Sequence, residues 1–192
     1  MTTAYNKFYI NGEWVEPAGR ETIDVINPAT EEAFATISMG TAEDVDAAAK
    51  AARAAFPSWS QSSVEERKTV LQKIMAGIQA RAGDLAAAIT SEMGAPVGLA
   101  NAAQVPSGLG HFAAVLPVLE NYKFQETRGS TLIVKEAAGV CGFITPWNWP
   151  LNQIACKVAP ALAAGCTIVL KPSEVAPINA YILAEIIDEC GL

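Results

Sequence analysis

Residues 139–174, GVCGFITPWNWPLNQIACKVAPALAAGCTIVLKPSE, constrain the fold more than any other stretch of the chain. Two short, β-rich apolar runs, Val140–Ile144 and Thr167–Leu170, flank a small-residue segment, Pro150–Ala164, that reads as a helix. Strand, helix, strand is a βαβ unit; such a crossover is almost always right-handed and makes its two strands parallel neighbours. Pro150 suits the first helical position, where the missing N–H costs nothing. Parallel sheets are buried on both faces, and the composition agrees, with 51% hydrophobic and only 17% charged residues. The expected class is α/β. Ligands of such sheets collect at the carboxyl ends of the strands, and two segments lie there: Thr145–Asn148 after the first strand and Lys171–Glu174 after the second.

The rest of the chain reads as packed strands and helices. Phe8-Tyr9-Ile10, Asn11-Gly12 and Trp14-Val15 form a hairpin signal, since Asn-Gly suits the positive φ angles of a type I′ turn. Asp24–Ile26 and Ala33–Ile37 predict two more strands around Asn27-Pro28. Thr41 with Asp44, and Ser63 with Glu66, have the spacing of capping boxes. The first opens a helix whose Val45, Ala48, Ala49, Ala52, Ala55, Phe56 and Trp59 recur at helical spacing, which predicts a buried face. The second carries Val70, Leu71, Ile74 and Ile78. A third helix is expected from about Asp84 to Met93, and a fourth from about Ala100 to Asn121, interrupted by Pro106, Gly108, Gly110 and Pro117. Gly129–Lys135, β-branched and alternating, predicts a strand that leaves the body of the domain.

The net charge of −7 lacks the clustered Lys and Arg that phosphate contacts need, so no nucleic acid and no anionic membrane is expected as a partner. The amino terminus shows no signal-peptide pattern, and no apolar stretch is expected to reach the roughly 18 residues of a membrane span. Four cysteines without CxxC spacing and a single histidine, His111, make zinc and disulfide frameworks unexpected. A cytoplasmic location is the expectation.

Two residues at the strand ends carry competing readings. Glu174, at the end of the second strand, has the placement of an acidic residue that holds ribose hydroxyls, with Lys171 adding donors. No GxGxxG accompanies it. The alternative is that Lys171-Pro172-Ser173-Glu174 caps the next helix, Pro177–Cys190. Asn148 stands just before a helix-starting proline, a position where Asn commonly caps the helix; the functional alternative is that its amide points into a cleft, where such a donor stabilises an oxyanion by roughly 3–4 kcal/mol.

Phe143–Asn148 followed by Trp149-Pro150, then Lys171-Pro172-Ser173-Glu174, resembles the signature of the aldehyde dehydrogenase superfamily. The resemblance continues through Tyr9–Trp14, Ile26–Thr30, Val45–Trp59 and Glu92–Pro96, in order and over essentially the whole chain. It implies an incomplete NAD(P)-binding domain over residues 1–192: amino-terminal helices plus the first βαβ of a Rossmann-like sheet. Part of an oligomerisation arm would fall near 124–137, and the family is typically homodimeric or homotetrameric. The implied reaction is NAD(P)-dependent oxidation of an aldehyde to a carboxylic acid, with NAD favoured over NADP if Glu174 reaches the ribose 2′-hydroxyl. Asn148 would be the oxyanion donor and Lys157 an aid to proton movement. Ile144, Thr145, Pro146, Trp147, Lys171, Ser173 and Glu174 would contact the cofactor. Trp149, Gln153 and Cys156, at i, i+4 and i+7, would line the aldehyde tunnel, where Gln153 and Cys156 depart from the family's bulkier pattern. Core packing is the alternative for Cys156. Ile26, Glu92 and Val175 match a monovalent-cation site, against which an exposed Glu92 is the ordinary alternative.

None of the four cysteines matches the family's nucleophile motif, and the catalytic domain with its Cys and Glu is expected to be absent. The sequence thus reads as an amino-terminal fragment with an unpaired sheet edge, inactive by itself. The alternative from another class is a non-catalytic nucleotide-binding or oligomer-interfering module. A weaker contender is an acyl-phosphate or semialdehyde reductase, against which the Asn148 context weighs.

Overall fold

The computed structural model describes residues 3–192. The amino-terminal strands are β1 (Thr3–Tyr5), β2 (Phe8–Ile10), β3 (Glu13–Val15), β4 (Thr22–Asn27) and β5 (Glu32–Ser38). β2 and β3 form the expected hairpin, and Asn11 (φ 57°) and Gly12 (φ 76°) both occupy the left-handed region that a type I′ turn requires. β4 and β5 pair antiparallel, and β1 joins β5 in parallel.

α1 (Ala42–Ser60) and α2 (Val64–Ala80) each begin with a complete capping box. The Asp44 carboxylate accepts from the Thr41 N–H at 2.7 Å, and Glu66 accepts from the Ser63 N–H at 2.7 Å. These bonds hold both carboxyls below the usual range. The predicted buried face of α1 is corrected: only Ala52 is buried, and Val45 is 61% exposed. Periodicity shows that a helix has an apolar side, and the covering partner must be present for that side to be buried.

α3 (Ala82–Met93) stops at Gly94 in the left-handed conformation, φ 77°. α4 (Val97–Leu99), a π turn (Ala100–Gln104) and α5 (Val105–Asn121) then run on as one helical stretch. The expected interruptions do not break it. Pro106 falls in the first turn after the π segment, where the hydrogen-bond ladder has already shifted. Val97–Asn121 is therefore long and apolar enough, by length and composition, to cross a membrane, contrary to the sequence expectation. In this fold its Val105, Phe112 and Leu119 are buried in the core.

β6 (Gln125–Arg128) and β7 (Thr131–Val134) form a hairpin that turns at Gly129, φ 62°. The single strand expected over Gly129–Lys135 is thus corrected to the second half of a two-stranded ribbon. β8 (Val140–Ile144), α6 (Pro150–Ala163) and β9 (Thr167–Lys171) follow as the βαβ unit, with β8 and β9 parallel and in register from Val140↔Thr167 to Ile144↔Lys171. α7 (Ile178–Glu189) follows β9.

The core gathers Leu71, Ile74 and Ile78 of α2, Leu85 and Ile89 of α3, Phe112 of α5, Leu151, Ile154 and Val158 of α6, and Leu183 and Ile186 of α7. Each such side chain stabilises the fold by roughly 1.5–3 kcal/mol over its exposed state. Two close helix approaches depend on glycine. A Cβ on Gly108 of α5 would lie 2.6 Å from the Leu151 Cγ, and one on Gly77 of α2 would lie 2.4 Å from the Ile186 Cγ2. Arg67, 5% exposed, ties three segments together. Its guanidinium donates to the Ser62 hydroxyl (3.0 Å), the Ser60 carbonyl (2.7 Å) and the Ala163 carbonyl (3.2 Å). These carbonyls belong to the ends of α1 and α6, where intrahelical donors run out. The β2–β3 hairpin is pinned to α7, Trp14 Nε1 donating to Asp188 at 2.9 Å.

Candidate functional site

The carboxyl ends of β8 and β9 lie side by side, and the Thr145 N–H donates to the Lys171 carbonyl at 3.2 Å, one residue beyond the ladder. Thr145 is buried, whereas Ile144 (79% exposed) and Trp147 (50% exposed) are open apolar surface. Ile144, Trp147 and Asn148 thus present an exposed shelf beside Pro146 at the mouth of the two-stranded sheet.

Asn148 is not the cap of α6. The N-cap position belongs to Trp149, in extended conformation with no side-chain cap bond, and Pro150 occupies the first helical turn. The Asn148 side chain makes no hydrogen bond among the described residues and is exposed. Its amide donors are therefore available to a ligand, and the capping alternative is set aside on geometry.

α6 then sets out the next side chains. Trp149, Gln153, Cys156 and Lys157 share one half-buried flank, opposite Leu151, Ile154, Ala155 and Val158 in the core. The Lys157 ammonium donates to the Gln153 carbonyl at 2.9 Å and to its side-chain oxygen at 3.3 Å, with the Cys156 Sγ 3.6 Å away. The thiol itself donates to the Gln153 carbonyl at 3.4 Å. The Oδ1 of neighbouring Asn152 accepts from His111 Nε2–H of α5 at 2.8 Å, a bond that calls for the imidazole tautomer protonated at Nε2. Sequence spacing offered no sign of this partner, because 41 residues separate the pair.

At the end of β9, Lys171 and Glu174 meet as an ion pair with half-exposed side chains, 56% and 50%. The Lys171 ammonium holds the Glu174 carboxyl below the usual range, so it is ionised at neutral pH. Ser173 is buried, and its hydroxyl accepts from the Val175 N–H at 3.2 Å, which shapes the turn. The segment does not cap α7. That task falls to Glu92, at 1% exposure on α3: its carboxylate accepts from the Ile178 N–H, from the Asn179 N–H at 3.1 Å and from Asn179 Nδ2 at 2.7 Å. Burial pushes the Glu92 carboxyl up to about 7 against the pull of these donors. The exposed Glu92 of the ordinary alternative is thus corrected. Ile26 and Val175 are about half exposed, and with both Glu92 oxygens engaged, a cation near the three residues would have to be met by backbone carbonyls.

Among the cysteines, Cys166 is buried, and burial beside it pushes the Cys141 thiol up; burial also raises Cys190. Such thiols are poor nucleophiles. No group of three or more His, Cys, Asp or Glu suited to a metal occurs among the described residues. A cleft of about 460 Å³ lies elsewhere, between the α1–α2 turn and the β6–β7 hairpin, lined by Phe56, Arg67, Phe124 and Lys135 among others.

The aldehyde dehydrogenase family model matches residues 14–192. The chain is 56% identical, over 189 residues, to a 3-succinoylsemialdehyde-pyridine dehydrogenase of a Pseudomonas species, covering 98% of this chain and 40% of the relative. A solved mutant of aldehyde dehydrogenase C from Pseudomonas syringae, complexed with NAD+ and octanal, superposes with a TM-score of 0.96 at 50% identity, over 97% of this chain and 39% of that one. An aldehyde dehydrogenase of Mycobacterium tuberculosis complexed with NAD+ gives a TM-score of 0.95 at 35% identity, over 100% and 41%. The chain spans about 40% of the length of the curated relatives it matches.

Proposed function

We propose that this chain, which belongs to the aldehyde dehydrogenase family, supplies the oxyanion donor and part of the nucleotide cleft for NAD-dependent oxidation of an aldehyde to a carboxylic acid. The carrying observation is that Asn148 sits at the carboxyl end of β8 with its side-chain amide unused by the helix it precedes. When a thiolate adds to an aldehyde, the carbonyl oxygen gains a full negative charge. An amide N–H fixed at that point stabilises the charge as it forms, with no dipole left to reorganise. α6 fixes Asn148: its first turn is anchored by Leu151 in the core and by the Asn152–His111 bond.

The residues present fit the cofactor in character. Ile144 and Trp147 offer exposed apolar surface, and Lys171 and Glu174 offer a donor and an ionised acceptor pair for ribose hydroxyls at the neighbouring strand end. NAD, when bound, supplies the hydride acceptor. The Glu174 carboxylate repels a 2′-phosphate, which favours NAD over NADP. Lys157, bonded to Gln153, is placed on the aldehyde-facing flank to hold a proton or orient water, and Trp149, Gln153 and Cys156 form that flank's wall. The nucleophilic thiolate and the general base are assigned to segments of the relatives that this chain does not span. The complete enzyme is read as a homo-oligomer in which β6–β7 is the joining arm.

The test begins with the intact mass of the polypeptide from its native source, followed by NADH formation from aldehydes with that polypeptide. Asn148→Ala should lower kcat about 10²–10³-fold while leaving NAD affinity unchanged. An unaltered kcat would refute the oxyanion assignment, and a native polypeptide that binds NAD yet oxidises no aldehyde would favour a non-catalytic nucleotide-binding module.

A further inference from the structure

We infer that Glu92 is a positioning residue for the cofactor-binding turn: a carboxylate delivered from α3 that anchors the start of α7 and, through Asn179, the turn carrying Glu174. The inference rests on the reading that Lys171 and Glu174 contact NAD.

The chain from β9 to α7 is short. Lys171 is fixed by the ladder, and after only six intervening residues α7 begins at Ile178. Pro177 has no N–H, so the first amides of α7 are those of Ile178 and Asn179, and both donate to Glu92. The amides of Ala180 and Tyr181 already find the Pro177 carbonyl, at 3.0 and 3.2 Å. No residue of α7's own segment caps the helix. An acidic group at a helix start also meets the positive end of the helix dipole.

The side chain of Asn179 carries the link backwards. Its Nδ2 donates to Glu92 Oε1 at 2.7 Å and to the Ala176 carbonyl at 2.8 Å. Ala176 in turn donates its N–H to the Ser173 carbonyl at 3.3 Å, and the Ser173 hydroxyl holds the Val175 N–H. Glu174 stands inside this turn. Glu92, Asn179 and Ala176 therefore form a continuous chain of bonds, buried at its Glu92 and Asn179 end, that sets where the exposed Glu174 carboxylate points. Removing the carboxylate leaves two amides of α7 and one arm of the Asn179 amide without an acceptor, and the turn loses its far anchor.

The experiment measures NAD affinity by calorimetry, with kcat and KM for NAD, on the polypeptide encoded by the native reading frame. The variants are Glu92→Ala, Glu92→Gln, Glu174→Ala and the Glu92→Ala/Glu174→Ala double. Glu92→Ala should weaken NAD binding about 3- to 30-fold and raise KM for NAD with kcat at saturation unchanged. Glu92→Gln, which keeps the shape and one acceptor, should give a smaller loss. In the Glu174→Ala background Glu92→Ala should cause no further loss, because its effect acts through Glu174. Parent-like affinity in a folded Glu92→Ala protein, or an equal loss in the Glu174→Ala background, overturns the inference. Where Glu92→Ala does not fold, Glu92→Gln decides it, and parent-like affinity there overturns it too. A Glu174→Ala protein that binds NAD normally instead overturns the underlying nucleotide-site reading.

Discussion

The approach of α5 to α6, which seats the helix that follows Asn148, can be perturbed at two glycines of the same helix with opposite expected signs. Gly108 and Gly110 both lie within α5. A Cβ on Gly108 would stand 2.6 and 2.8 Å from Leu151 Cγ and Cδ2, and 3.4 Å from the Leu151 backbone carbon. Carbon contacts relax only beyond about 3.5 Å, so Leu151 must retreat by nearly an ångström. It is fully buried and bounded by its own backbone, with little space to do so. Overpacking of this kind costs about 1–3 kcal/mol. A Cβ on Gly110 meets nothing within 4 Å. Replacing glycine by alanine in a helix interior favours folding by about 1 kcal/mol at either position. That gain cancels in the comparison, so Gly108→Ala should be less stable than Gly110→Ala by the overpacking cost alone, about 1–3 kcal/mol, or roughly 2–12 °C in Tm for a chain of this size. Urea unfolding followed by far-UV circular dichroism measures the difference, provided the two slopes agree. Equal midpoints for the two variants would show that the α5–α6 contact is not set by the glycine.

Glu92 should leave a mark on the pH dependence of stability. Its folded pKa of about 7 exceeds the ordinary 4.5, so its contribution is fully present below pH 4.5 and is lost as pH rises through 7. Parent stability relative to Glu92→Gln should therefore fall by about 1–3 kcal/mol between those limits, and a flat difference would show that desolvation does not govern the group. Arg67→Lys should cost about 2–4 kcal/mol, because one ammonium cannot serve the Ser60, Ala163 and Ser62 oxygens that the guanidinium fork reaches from three nitrogens; a loss under about 0.5 kcal/mol in thermal unfolding, the range of ordinary surface changes, would contradict that.

What was legible in the sequence was local. β8 starts and ends where its apolar run does, and α6 starts at Pro150 because proline can begin a helix but not continue one from before it. Both capping boxes and the Asn-Gly turn were visible because all their atoms lie within four residues. The β6–β7 hairpin was half seen, since its second strand carries the β-branched residues, Thr131–Val134, and its first, Gln125–Arg128, is polar. The burial of Arg67 and Glu92 was invisible for another reason. Arg67 answers a carbonyl 96 residues away and Glu92 an amide 86 residues away, and no periodicity encodes partners at that range. The same holds for α1, whose apolar stripe gave its period but not its cover.

Sequence alone could not decide whether Asn148 and Glu174 cap helices or meet a ligand, because the residue types that cap helices are also the ones that bind polar groups. The structure answers the capping half of that question by accounting for the helix starts. Every helix leaves its first amides in need of acceptors. α6 lowers that need by placing Pro150 in its first turn, and α7 does so by following Pro177 and by receiving the carboxylate of Glu92 from α3. With those needs met from elsewhere, Asn148 and Glu174 are left exposed at two adjacent strand ends; among the described residues no side chain bonds Asn148, and Lys171 alone pairs with Glu174. A loop that caps its own helix holds its polar side chains inward, as the buried Ser173 hydroxyl does for the turn beside it. A loop relieved of that task leaves its polar side chains open to a ligand, and the remote carboxylate of Glu92 is what relieves the turn before α7 of it.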